Sequence, residues 1–154
     1  MFTITTLTHI EKGLNTMSVH SQEMFNISPI DGRYQTAVHD LREHLSEYGL
    51  IKARTQVEIK WLIFILKSPL IPDTPQLTEQ QEEKLLQIYN SFDIKAAEDI
   101  KIWEKKCNHD VKSVEYYIKD RLQAYGQFEN IMPFVHFALT SEDVNNLALS
   151  LIHI

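Results

Sequence analysis

Leu50, Arg54, Val57, Trp61 and Ile65 step along the chain by three or four residues, and this spacing constrains the fold more than any other feature of the sequence. It places all five on one side of an α-helix and argues against a strand, whose side chains alternate every second residue. A helix is predicted from about Tyr48 to Leu66, with Ser46 as N-cap, Arg54 as the one polar member of the stripe, and Pro69 and Pro72 ending it. Thr78 and Gln81 form a capping-box pattern that opens a polar helix to about Tyr89. Asp93 can cap the next helix, whose stripe is Ala96, Ile100, Trp103 and Cys107. Val111, Val114, Ile118 and Leu122 repeat the pattern after a break near Asn108. A short helix is expected from about Gln35 to Leu45, and Thr140 with Asp143 reads as the cap and third position of a last one. Glycine and proline are few, four and five in 154 residues, and strand-like alternation is scarce, so the expected class is all-α.

Residues 1–26 carry no sustained period and are read as a disordered extension, with Met17 and Met24 as candidate starts. Residues 27–139 form the expected helical domain, and residues 140–154 the start of a second one. The net charge of −6 offers no basic stripe to displace counterions from a nucleic-acid backbone, although a small phosphate needs only one or two cations. Cys107 is the only cysteine, so an internal disulfide or cysteine-rich metal site is excluded, and a reducing compartment suits the chain. The longest apolar run, Trp61–Leu66, is far too short to cross a bilayer, and no secretory signal pattern opens the chain. The expected location is cytoplasmic.

Three polar clusters interrupt the helical background. Asn108-His109-Asp110 lies between two apolar-faced helices. It reads either as a capped helix start, with Asp110 or Asn108 bonding free amides, or as a histidine held so that it binds or polarises a substrate. Thr140-Ser141, followed by Asn145 and Asn146, reads either as ordinary capping or as an anion site at a helix start. Asp31-Gly32-Arg33-Tyr34 is a turn in which Asp-Gly favours positive φ. The same residues can also present an arginine and a phenol to a phosphate, which suits arginine's planar fork. His136, in an apolar stretch, is read as a satisfied interior residue. The other histidines show no metal-ligand spacing.

Taken in order, SPIDGRY at 28–34, SEYGLIKARTQVEIKWL at 46–62, NHDVKSVEY at 108–116 and TSEDVNN at 140–146 resemble the adenylosuccinate lyases, most of all their longer bacterial branch. The resemblance runs from Ser28 to about Leu149. It implies the N-terminal helical domain of the fumarase/aspartase-type lyase fold, cut at the start of the central helical bundle of a homotetramer. It further implies β-elimination of fumarate from adenylosuccinate, giving AMP, and from succinyl-aminoimidazole-carboxamide ribotide, with no cofactor and no metal. By motif, Arg33 and Tyr34 would hold the substrate phosphate. Asn108, His109 and Asp110 would line the site, with His109 orienting and polarising the substrate, and Thr140 and Ser141 would bind a succinyl carboxylate. The general acid and the serine base would lie beyond this chain, which is then expected to be inactive alone. The alternative is an inactive helical module for binding or assembly.

Two departures from the family pattern stand out. Lys106-Cys107 replaces threonines, so a thiol stands where a hydroxyl is usual and any hydrogen bond there weakens. Ser150–Ile154 resembles the opening of a translated sequencing-adaptor tail, so the natural protein is expected to continue. The last helix, with no bundle to pack against, is expected to fray, leaving Leu147, Leu149, Leu151 and Ile152 partly exposed.

Overall fold

The computed structural model describes residues 26–154; the expected extension over residues 1–26, with Met17 and Met24, lies outside them apart from Asn26. The chain divides into two compact units, which meet in sequence at Arg42 and Glu43.

In the first unit, Asp31 and Gly32 donate backbone N–H bonds to Ser28 O at 3.1 and 3.2 Å, and Tyr34 N donates to Pro29 O at 3.0 Å. The expected turn therefore forms, but neither Asp31 nor Gly32 takes positive φ. The chain coils in the right-handed sense there, and Gly32 is buried. The helix expected over Gln35–Leu45 is shorter than its pattern: turns lead to one 3-10 turn at His39–Leu41 and then to α1, Arg42–Leu45. No residue of either piece is buried, so little packing stabilises a longer helix.

The second unit is built around α2, Glu47–Lys67. Ser46 caps it by accepting from Gly49 N, as its pattern implied, and Ser68 ends it ahead of Pro69. Gly49 is required by close approach: a Cβ there would run into His44 O and lie 2.6 Å from Glu43 O. Of the predicted stripe, Arg54, Val57 and Ile65 are buried and Leu50 and Trp61 half-buried, and α2 buries residues on other sides as well. Ala53 and Val57 pack with Val111, Val144 and Ala148, while Ile51, Ile59, Leu62 and Leu66 join a larger core on another side. A helix covered on two sides needs apolar residues around most of its circumference, so a single stripe under-reads it.

The larger core is closed by α3 (Glu79–Asn90), α4 (Ile94–Cys107) and α5 (Asp110–Tyr125). Leu85, Ile88, Phe92, Ile100, Val114, Ile118, Leu122 and Phe128 meet there. Each such side chain contributes on the order of 1.5–3 kcal/mol by leaving water. The Thr78–Gln81 capping box and the Asp93 cap form as expected. Asn108, at φ 51° and ψ 40°, ends α4 in the left-handed region, which asparagine tolerates better than most residues, and lets α5 fold back as a hairpin. Trp103 on α4 meets Tyr116 across the hairpin and donates to Asp120 at 2.7 Å.

The last helix, α6 (Ser141–His153), corrects one expectation. It has something to pack against: Val144 and Ala148 are fully buried against α2 and Val111. The partial exposure expected of Leu147, Leu149, Leu151 and Ile152 is found, Ile152 being the most covered of the four. No helix of the described residues is long and apolar enough to cross a membrane.

Candidate functional site

The site grows from the turn between α4 and α5. Asn108 takes the left-handed position, which returns His109 to extended backbone, φ −153°, as the N-cap of α5. The cap is made by the imidazole: Nδ1 accepts from Lys112 N at 3.2 Å. The N-cap position thus falls to His109, while Asp110 Oδ1 bonds a free first-turn amide as expected, accepting from Val111 N at 2.8 Å, and Asn108 does not. With Nδ1 accepting from the Lys112 amide, the tautomer that fits the bond carries its proton on Nε2. Nε2 lies 3.4 Å from Ser141 Oγ, the first residue of α6, and the ring is half-exposed. The structure thus brings two of the sequence clusters together, with His109 presented as a hydrogen-bond donor. Cys107 keeps a bond despite its thiol, with Sγ donating to His109 O at 3.3 Å.

At the start of α6, Thr140 and Asp143 form a full capping box. Asp143 Oδ2 accepts from Thr140 N and from Thr140 Oγ1, both at 2.7 Å, and Thr140 Oγ1 accepts from Asp143 N at 3.2 Å. The bond from the Thr140 hydroxyl holds the Asp143 carboxyl below its usual range. Thr140 therefore spends its hydroxyl proton on its own helix. The Ser141 hydroxyl, facing His109, is the better placed of the two to meet a ligand.

Asp110 is joined to this arrangement by a residue that the sequence reading passed over. Arg54, nine-tenths buried on α2, donates from Nη2 to Asp110 Oδ2 at 2.6 Å and from Nε to Asn145 Oδ1 at 2.9 Å. One guanidinium thus ties three helices at the point where the two motifs meet. Burial acts upward on Asp110, but the Val111 amide and the Arg54 charge outweigh it and hold the carboxyl low. The sequence did carry a signal, since an arginine on an otherwise apolar stripe needs buried partners. Asn145 finds its partner here, and Asn146 is exposed.

A second omitted residue is Glu58, one turn beyond Arg54. Its side chain is fully buried, Oε1 lies 2.6 Å from His136 Nδ1, and Oε2 has no partner. His136 is thus satisfied, as expected. The Glu58 bond raises its pKa above 6.5 against the opposing effect of burial. His136 and Ala138 are left-handed, φ 64° and 58°, each at a cost of roughly 1–2 kcal/mol for a non-glycine residue. In the first unit, Arg33 and Tyr34 are exposed, and the Arg33 guanidinium sits 4.8 Å from the centre of the Tyr34 ring. Among the described residues no three His, Cys, Asp or Glu side chains converge as a metal site would need.

The lyase family matches residues 32–154. An adenylosuccinate lyase of Legionella pneumophila (strain Corby) is 45% identical over 125 residues, covering 81% of this chain and 27% of that protein. That of Dictyostelium discoideum is 44% identical over 138 residues, covering 88% of this chain and 30% of that protein. That of Escherichia coli (strain K12) is 42% identical over 125 residues, covering 81% and 27%. The chain therefore spans less than a third of the length of these curated relatives. The family match takes in the helical hairpin, the His109 cap and the whole of α6, and on that match the chain belongs to the lyase family.

Proposed function

We propose that this chain forms part of an adenylosuccinate lyase, a carbon–nitrogen lyase releasing fumarate from adenylosuccinate and from succinyl-aminoimidazole-carboxamide ribotide. One observation carries the reading: an imidazole fixed by its own helix as an Nε2–H donor, beside the serine that opens α6. In a β-elimination next to a carboxylate, negative charge builds on that carboxylate, and donors already oriented toward it lower the barrier. His109 supplies such a donor, and Ser141 with the first amides of α6 supplies others. Asn108 and Asp110 line the same place, with Thr140 holding the helix start. Arg33 and Tyr34 take the substrate phosphate. The removal of the carbon-bound proton and the protonation of the leaving nitrogen are assigned to none of these residues. The proposed setting is a cytoplasmic homotetramer needing no metal or cofactor.

The test is a transplant. The 125 aligned residues of the Escherichia coli relative are replaced by those of this chain, and fumarate release is followed. Turnover within about tenfold of the parent supports the reading, since a tenfold loss is only ~1.4 kcal/mol of barrier. A folded chimera that binds adenylosuccinate but does not turn it over overturns it. The 154-residue chain incubated alone with adenylosuccinate is expected to release no fumarate, and turnover that His109→Ala abolishes would contradict this.

Arg33→Lys in the chimera keeps the charge but loses the bidentate fork. Phosphate binding is expected to weaken by roughly 1–3 kcal/mol, mostly in KM because the phosphate lies away from the breaking bond. An unchanged KM removes Arg33 from the site.

A further inference from the structure

We propose that Glu58 and His136 form a positioning pair, fixing the segment that delivers Thr140 and Ser141 to the start of α6. The functional value of the pair rests on the reading above, in which that helix start receives a substrate carboxylate.

The segment between the α5 hairpin and α6 is held at three successive residues. Val135 is buried in the larger core, His136 Nδ1 meets Glu58 Oε1 at 2.6 Å, and Phe137 O accepts from Trp61 Nε1 at 2.8 Å. Glu58 and Trp61 are three residues apart on α2, so one helix face grips consecutive residues of the segment. His136 itself, and Ala138 between the last grip and Thr140, are left-handed residues whose backbone needs surrounding contacts to persist. The segment cannot relax without moving the Thr140–Asp143 cap.

The chemistry of the pair is unusual for a purely structural contact. A fully buried carboxylate with one oxygen unpartnered is costly to keep ionised unless a cation sits against it, and His136 is the cation available. The groups facing His136 are Glu58 from α2, Glu115 and Lys112 from α5, and Asp143 from α6, three anions against one cation. Glu115 is itself paired with Lys112 and Lys119 at 2.8 and 2.7 Å, which leaves Glu58 as the anion that depends on His136. A positive His136 also favours the Asp143 carboxylate that accepts both Thr140 bonds. The sign follows from the raised pKa of His136. The interaction is complete below pH ~6.5 and is lost as pH climbs through the raised value.

The experiment uses the 154-residue chain and nuclear magnetic resonance, with fumarate as the probe. In the unmodified chain, the Thr140–Val144 amides are expected to shift with the same midpoint as the His136 ring. Glu58→Gln keeps an acceptor but removes the charge. It is expected to bring the His136 midpoint down toward the ordinary imidazole value and to speed hydrogen exchange of the Thr140–Val144 amides about tenfold. Glu58→Asp, which keeps the charge, is expected to restore part of both. Amides that ignore the His136 titration, in the unmodified chain where no variant can misfold, overturn the proposal. So does a folded Glu58→Gln chain with unchanged exchange at Thr140–Val144. The fumarate arm separates this inference from the functional reading. If the amides follow His136 but fumarate perturbs neither Ser141 nor His109, the positioning stands and the carboxylate reading fails. Fumarate binding that is equal in the unmodified chain and Glu58→Gln, and independent of pH across the His136 titration, overturns the positioning and leaves that reading in place.

Discussion

Replacing His109 with asparagine in the chimeric lyase is expected to lower kcat by about 10²–10³-fold, the loss typical of removing one preorganised donor from a developing oxyanion. Asparagine is chosen because it caps helices as well as any residue, so the start of α5 should survive the change. The two roles of His109 then separate. Nδ1 holds the helix start by accepting from Lys112 N, and Nε2, beside Ser141, is the atom to which the proposed chemistry is assigned. Thermal melting of the variant should stay within about 0.5 kcal/mol of the parent, whereas His109→Ala should lose ~1 kcal/mol of capping as well as rate. The KM should change less than kcat, because a donor aimed at charge that exists only in the transition state contributes little to ground-state binding. A His109→Asn chimera with undiminished kcat would leave the imidazole as a helix cap and nothing more.

Most of the helical framework was legible because its signals are local. Ser46, Thr78, Asp93 and Thr140 each cap the helix that their patterns implied, since a cap needs only a side chain and an amide three residues away. The hairpin stripe Val111, Val114, Ile118 and Leu122 is wholly buried for the same reason of short-range periodicity. What escaped depends on partners distant in sequence. Arg54 looked like a blemish on an apolar stripe until its partners, 56 and 91 residues away, were known. Glu58 needed His136, 78 residues on. The His109 cap was hidden because imidazole is an uncommon cap beside two better ones, and the left-handed turn at Asn108 decides which residue fills the place. The placement of Ser141 against His109 is likewise a product of α6 packing on α2. The motifs told which residues to watch, but their meeting point is a property of the packed helices.

Arg54→Met is expected to cost the second unit roughly 2–4 kcal/mol, toward the lower end of what breaking a buried ion pair from one side costs. The lower end applies because Asp110 is 45% exposed and can recover water, whereas Arg54 is 10% exposed and its bond to Asn145 has no substitute. Methionine fills much of the arginine stem's volume, so the loss reports the polar contacts more than a cavity. On a unit of this size the melting temperature should fall by about 10 °C, read from calorimetry or circular dichroism of the chain. Arg54→Lys should recover only part, since an ammonium lacks the planar fork that reaches Asp110 and Asn145 together. The pH dependence gives an independent check. The carboxyl of Asp110 is held below 3.8 in the folded chain, so its contribution is present above that value and is lost as pH falls through the lowered one. The gap between the parent and Arg54→Met should therefore be widest near neutrality and narrow in acid. A variant that melts within ~2 °C of the parent at neutral pH would show that α2, α5 and α6 hold together by their apolar contacts alone, with the guanidinium a passenger at their junction.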